Sequence, residues 1–164
     1  MSKSTTVSQL LQSRDAPRVE TATIEDLDQV SELVMELFEL QNDFSADREV
    51  QRRGLRLILE QPARGRIFIL RNDHRILGMV NLLFTISTAC GGMVILLEDF
   101  IIHPTHRGHG YGSFLIEHVK KFAETKDFAR ITLLTDKISA DSQKFFRKLG
   151  FNYSSMIPMR LNLD

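Results

Sequence analysis

The sequence predicts a mixed α/β domain whose sheet is antiparallel first and then parallel across one crossover helix. Three observations predict it. Apolar runs on either side of Asn72–Asp73 read as a β-hairpin. A third run, Ile95–Ile102, passes through Pro104 and a glycine-rich segment into an amphipathic helix. After that helix comes Ala129–Thr135, rich in β-branched residues, and a strand reached through a crossover helix returns parallel.

In chain order, residues 1–17 are polar and read as a flexible tail, with Leu10 and Leu11 able to dock one short turn. Val19–Ala22 reads as a first strand. Thr23 with Asp26 three residues on reads as a capping box. Leu27, Val30, Val34, Leu37 and Phe38 then follow at helical spacing to about Leu40. Beyond a polar break around Phe44, a second helix is expected from Asp47 to Glu60, stopped by Pro62. Gly65–Arg71 and Arg75–Ser87 are the hairpin strands, and Ser87–Gly92 is a small-residue loop. The strand Ile95–Ile102 ends near His103, because Pro104 has no N–H to give a ladder. Tyr111, Leu115, Val119 and Phe122 share one face of the helix that follows. Ser139–Leu149 is a helix ended by Gly150, and Ser155–Leu163 is expected to close the chain as a strand.

A chain of 164 residues is enough for one domain with a real core, here residues 18–164 beyond the tail. Lys plus Arg equal Asp plus Glu at 21 each, so no basic excess points to nucleic acid. No apolar run is long enough to cross a membrane, and no secretory signal pattern opens the chain. The single Cys90 excludes an internal disulfide and fits a reducing, cytoplasmic setting; no motif around it marks a nucleophile.

Chemistry concentrates in Arg107, Gly108, His109, Gly110, Tyr111, Gly112 and Ser113. Strand, glycine turn and helix together offer free backbone N–H groups and a positive dipole end, a cradle for a diphosphate. It is not a P-loop, since Ser113 and Phe114 stand where Lys and Ser or Thr would be needed. The glycines at 108, 110 and 112 also miss the dinucleotide spacing, although Asp136 keeps a nucleotide reading open. His103, His106 and His109 are three apart, but Pro104 and the glycines make that stretch a loop, and no carboxylate or Cys completes a zinc spacing; no metal is expected.

Arg107, Gly110 and Gly112 fill the pattern Arg/Gln-x-x-Gly-x-Gly/Ala, and the chain here resembles motif A of the GCN5-related N-acetyltransferase (GNAT) family. The element order agrees from about Val19 onward. A second landmark is the penultimate helix, where Phe145, Phe146, Gly150 and Phe151 match the family, while Ser139, Ser142 and Phe146 stand where Asn, Ala and Tyr are usual. The resemblance implies the acyl-CoA N-acyltransferase fold, in which two parallel strands of a mixed central sheet splay and admit a pantetheine arm. It also implies acetyl-CoA as cosubstrate and direct transfer of its acetyl group to a primary amine.

On that resemblance, Phe100, Ile101 and Ile102 supply backbone hydrogen bonds to the arm, and one such N–H polarises the thioester carbonyl. Residues 107–113 hold the pyrophosphate, with Ser139 and Phe146 as further cofactor contacts. Glu98, or else Asp99, takes the amine's proton or anchors the amine; strand alternation lets only one of the two face it. A strand carboxylate paired with Arg75 or Lys137 is the plainer reading of Glu98. The acceptor is a small-molecule amine or a peptide amine, and a homodimer through terminal strands fits the family. The alternative is a non-catalytic acyl-CoA-binding module, which the missing Tyr at Phe146 makes thinkable.

Overall fold

The computed structural model describes residues 16–40, 45–137 and 139–163. The expected tail, apart from residues 16 and 17, and the break at residues 41–44 lie outside the described residues. The chain forms two compact units, Met1–Leu134 and Thr135–Asp164.

The first unit is built on one sheet of β1 (Arg18–Thr21), β2 (Gly65–Asn72), β3 (Arg75–Ser87), β4 (Gly92–Ile102) and β5 (Ile131–Leu133), lying side by side in that order. The first four are antiparallel to their neighbours, and β5 runs parallel to β4. The mixed sheet follows the sequence reading. The hairpin turn falls one residue later than expected, on Asp73 and His74, with Asp73 left-handed at φ 49°. Asp is one of the few non-glycine residues that tolerate that region.

Thr23 and Asp26 do form the capping box, and the Thr23 N–H donates to Asp26 Oδ2 at 2.9 Å. A 3-10 turn over Ile24–Asp26 intervenes before α1 (Leu27–Glu39) begins. Asp47 caps α2 (Arg48–Leu59) by accepting from the Glu49 and Val50 N–H groups at 3.0 and 3.2 Å, a contact of a kind worth about 1 kcal/mol. Val30, Leu33 and Val34 of α1 and Leu55 of α2 pack with Ile67, Ile69, Met79 and Ile101 from the sheet. Each such aliphatic side chain contributes roughly 1.5–3 kcal/mol when taken out of water.

Phe68, alternating with Ile67 and Ile69, faces the other way and meets α3 (Tyr111–Thr125). Its ring lies edge-on to Phe122 at 5.2 Å and to His118 at 4.7 Å. Leu115, Ile116 and Val119 of α3 are fully buried, and Phe84 and Phe128 complete the aromatic contact. The two faces of the sheet thus hold different helices, which fixes where α3 starts.

In the second unit, Ser139 caps α4 (Ala140–Lys148) by accepting from the Ser142 N–H at 3.3 Å, and Gly150 follows in the left-handed region at φ 96°. The strand expected over Ser155–Leu163 does not form among the described residues. Its apolar side chains alternate as a strand's would, yet Met156, Ile157, Met159, Leu161 and Leu163 are each at least 81% exposed. Alternation makes a strand only where a neighbour supplies the ladder, and Pro158 removes one donor. No helix among the described residues is long and apolar enough to cross a membrane.

Candidate active site

The site begins where β4 outruns its parallel neighbour. Ile95, Leu96 and Leu97 pair with Ile131, Thr132 and Leu133, and there the pairing stops. From Glu98 to Ile102, β4 continues with β3 as its only strand partner among the described residues. β5 itself ends at Leu133, so the pairing stops in the strand pair for which a splay is expected, and Glu98 is the first β4 residue past it.

Directly beyond Glu98 the strand is irregular. Asn81 lies opposite Glu98 and Met79 opposite Ile101, so β3 has Val80 between these pairs where β4 has Asp99 and Phe100. That extra residue is a β-bulge, and bulges re-aim side chains beside functional sites. Asp99 stands there at φ 49°, a conformation that costs a non-glycine residue roughly 1–2 kcal/mol. Its Oδ2 accepts a hydrogen bond from Asn81 Nδ2 at 3.1 Å. The strict alternation that would send Glu98 and Asp99 to opposite faces is therefore broken at this point.

The two carboxylates sit in different surroundings. Glu98 is exposed, whereas Asp99 is partly covered. Burial pushes the Asp99 carboxyl above the usual carboxylate range, and the Asn81 N–H works against that rise. Asn81 itself is 2% exposed, and its Oδ1 has no hydrogen-bond partner among the described residues. Sequence reasoning passed over Asn81; the available signal was a lone amide inside the apolar run Leu77–Phe84.

Ile101 and Ile102 are buried at the end of β4, and Pro104–His106 make a 3-10 turn that leads into the glycine loop. Arg107 Nε donates to the Ile102 carbonyl at 2.9 Å. Gly108 and Gly110 hold φ 81° and 78°, and a Cβ added at either would meet no atom within 4 Å. The loop is thus open above its backbone. Gly110 is also the N-cap of α3 and has no side chain to satisfy the helix's first N–H groups. Those groups and the positive helix end remain for a ligand. The open cradle fits the diphosphate of an acyl-CoA, with residues 107–113 able to hold it.

The histidines bond among themselves and their neighbours. His103 Nδ1 and His106 Nδ1 lie 2.8 and 2.9 Å from Thr105 Oγ1, and His103 Nε2 lies 3.7 Å from Glu36 Oε1. His109 stacks on Tyr111 at 5.6 Å, with Nδ1 3.2 Å from the His106 carbonyl oxygen. Desolvation, Arg75 and the other two histidines lower the His106 pKa. No group of three or more His, Cys, Asp or Glu among the described residues is placed to hold a metal ion. A groove of about 430 Å³ lies against the β2–β3 turn, lined in part by Gln29, Asn72, Arg75 and His106, and the glycine loop does not line it.

Ser139 and Phe146 belong to the second unit. The Ser139 hydroxyl caps α4, and the Phe146 ring is 5.1 Å from Phe145 and 5.7 Å from Phe151. Tyr153 donates its hydroxyl proton to Gln143 Oε1 at 2.7 Å.

Known proteins share this fold. The fold matches a possible acetyltransferase of Clostridium difficile 630 with TM-score 0.82 and 13% identity, over 90% of this chain and 98% of that one. It matches an aminoglycoside acetyltransferase from an uncultured soil metagenomic sample, solved with sisomicin, with TM-score 0.73 and 18% identity, over 90% and 97%. A Streptomyces lavendulae streptothricin acetyltransferase is 25% identical over 71 residues, which are 43% of this chain. That match spans 38% of the relative's length. Residues 27–151, from α1 through the glycine loop and α4, match the acetyltransferase (GNAT) family, and the chain belongs to that family.

Proposed function

We propose that this protein is an enzyme that transfers an acetyl group from acetyl-CoA to a primary amine, by direct attack in a ternary complex. One observation carries the proposal: β4 outruns β5 at Leu97, with Glu98 the first residue beyond the pairing, and runs on into an open glycine loop at a helix N-terminus.

Bound acetyl-CoA supplies an activated acyl carbon. Residues 107–113 bind its diphosphate through backbone N–H groups, and β4 binds the pantetheine arm through those of Phe100 and Ile102; the Ile101 N–H, two residues from the His103 N–H that donates to Leu77, points to β3 instead. Ser139 and Phe146 are further contacts on the family resemblance alone. An alkylammonium has a pKa near 10 and cannot attack, so Glu98 accepts its proton, directly or through water. A C–N bond then forms and the C–S bond breaks, with the amine's second proton lost to solvent. The backbone N–H groups past the bulge face the growing charge on the carbonyl oxygen, and the rest of the acceleration comes from holding the two reactants together.

A small-molecule amine is the favoured acceptor. The support is that one relative is named for streptothricin and one structural neighbour was solved with sisomicin. A peptide amine is the second class to test. A cytoplasmic setting goes with this reading, supported by the single exposed Cys90, which a reducing compartment keeps as a thiol.

The test is continuous CoA release, measured as free thiol, over a panel of polyamines, amino acids, aminoglycosides and peptide N-termini. Repeated turnover with one of them supports the enzyme. Tight acetyl-CoA binding with no turnover on any supports the non-catalytic acyl-CoA-binding module, the reading that the hydroxyl-free Phe146 favours.

A further inference from the structure

Asn81 is an expensive residue for its position. Its β3 neighbours Val80 and Leu82 are fully buried, and its own Oδ1 is sealed away without a partner among the described residues. An apolar side chain of similar size would fill the same space and leave no acceptor unmatched. What an apolar side chain cannot supply is the donor that Asn81 gives to Asp99 at 3.1 Å. Asp99 needs such a tether. It is an L-residue at φ 49°, and a conformation of that kind persists only where the surroundings over-determine it.

The register adds the consequence. Asn81 lies opposite Glu98, and the bulge is the step between that pair and the pair Met79–Ile101. Whatever holds Asp99 therefore sets the strand direction on both sides of it. We infer that Asn81 is a positioning residue for acetyl transfer: its amide pins Asp99 in the β4 bulge, and the pinned turn aims Glu98 and the backbone N–H groups that follow. The inference rests on the reading of Glu98 and β4 given under the proposed function. Asn81 touches neither reactant; it acts through the backbone of its neighbour.

The test uses three variants of the full chain: Asn81→Leu, Asn81→Ser, and the double variant Asn81→Leu/Asp99→Gly. Glycine takes a positive φ without a tether, so the double variant rebuilds the bulge without the hydrogen bond. Asn81→Leu should lower kcat by about a hundredfold, the scale of an ångström's misplacement, while the acetyl-CoA Kd holds. Asn81→Ser, which keeps a smaller donor, should fall between, and it carries the test if the leucine variant does not fold. The double variant should recover most of the lost kcat.

Failure to recover, with the double variant folded and binding acetyl-CoA, overturns the inference, because the Asp99 carboxylate or simple packing would then be what matters. A second readout needs no turnover. The Phe100 amide resonance should move in Asn81→Leu and return toward its wild-type position in the double variant. An unmoved Phe100 resonance overturns the inference whatever the kinetics. Wild type that releases no CoA with any amine overturns the proposed function instead, and the resonance still decides whether Asn81 holds the bulge.

Discussion

Arg107 donates from Nε to the Ile102 carbonyl at 2.9 Å, which ties the first residue of the glycine loop to the last residue of β4. The strand that carries Glu98 and the loop that would hold the diphosphate are thereby fixed to each other through one guanidinium. Arg107→Met keeps the length and apolar stem but loses the donor and the charge. The expected result is a Kd for acetyl-CoA raised at least tenfold, or ~1.4 kcal/mol, with an unchanged circular-dichroism spectrum. Calorimetry giving a wild-type Kd would separate the tie from cofactor binding.

Gly110 offers a sharper probe because its two roles can be measured apart. Its φ of 78° makes any side chain there strained, yet a Cβ would meet nothing in the free protein. Gly110→Ala should therefore cost the free protein only about 1 kcal/mol, the usual scale of left-handed strain. A diphosphate seated on the loop would meet that Cβ, so acetyl-CoA binding should weaken by more than the stability change accounts for. Gly112→Val should weaken it too, by more than tenfold, or ~1.4 kcal/mol. Variants that bind acetyl-CoA normally would show that the diphosphate lies elsewhere.

Glu98→Gln keeps the shape of the side chain just past the β4–β5 pairing and removes its charge. The expected loss in kcat at neutral pH is about 10²–10⁴-fold, the range of a positioned general base, with acetyl-CoA affinity held. Unchanged turnover across the pH range would move the role to Asp99, whose raised pKa suits a base.

The limits of the sequence show in the same few residues. Arg75–Ser87 is read to the residue because a turn and an apolar run bound it, and both signals are local. Gly108 and Gly110 are legible because glycine takes, without strain, the positive φ that this loop's backbone holds. The bulge at Asp99 is not, since it depends on an amide 18 positions away across the sheet. Nothing in Leu97–Glu98–Asp99–Phe100 distinguishes a regular strand from an interrupted one except an Asp, which tolerates the left-handed region. The segment Ser155–Leu163 errs in the other direction: its alternation is real, but a strand also needs a partner, and periodicity carries no information about one.

Asp99 gives a pH dependence of stability with a sign opposite to that of an ordinary paired carboxylate. Burial, countered by Asn81, leaves its folded-state pKa above the model-peptide value of 3.8. The folded protein therefore holds the proton more tightly than the unfolded chain does. The stability this contributes is fully present below the unfolded value and is lost as pH rises through the folded one. Asp99→Asn, which cannot ionise and still accepts from Asn81, should gain stability relative to wild type as pH is raised through that window. Urea titrations at a series of pH values test this. A wild type that gains on the variant as pH rises would mean that Asp99 is held charged, contrary to its surroundings.

The departing sulfur has to take up a proton from somewhere. Phe146 occupies the position where the family resemblance expects a tyrosine, and it has no hydroxyl to offer. Tyr153 is near in sequence, but its hydroxyl proton is given to Gln143 Oε1 at 2.7 Å, and the Arg147 guanidinium lies 5.2 Å from its ring. Those contacts belong to α4 and the turn after it, so Tyr153 is engaged in holding its own segment. Thiol pKa values lie near 8.5, so coenzyme A can leave as a thiolate and be protonated by water afterwards. Tyr153→Phe should therefore keep its turnover and lose about 1 kcal/mol of stability, the net value of one such hydrogen bond. Phe146→Tyr should fold, with CoA release equal to wild type or faster; equality is expected most clearly above the thiol pKa, where the thiolate leaves without needing a proton and an added phenol does no harm. If Tyr153→Phe abolishes CoA release while calorimetry shows acetyl-CoA bound as in wild type, Tyr153 is the acid and solvent protonation is wrong.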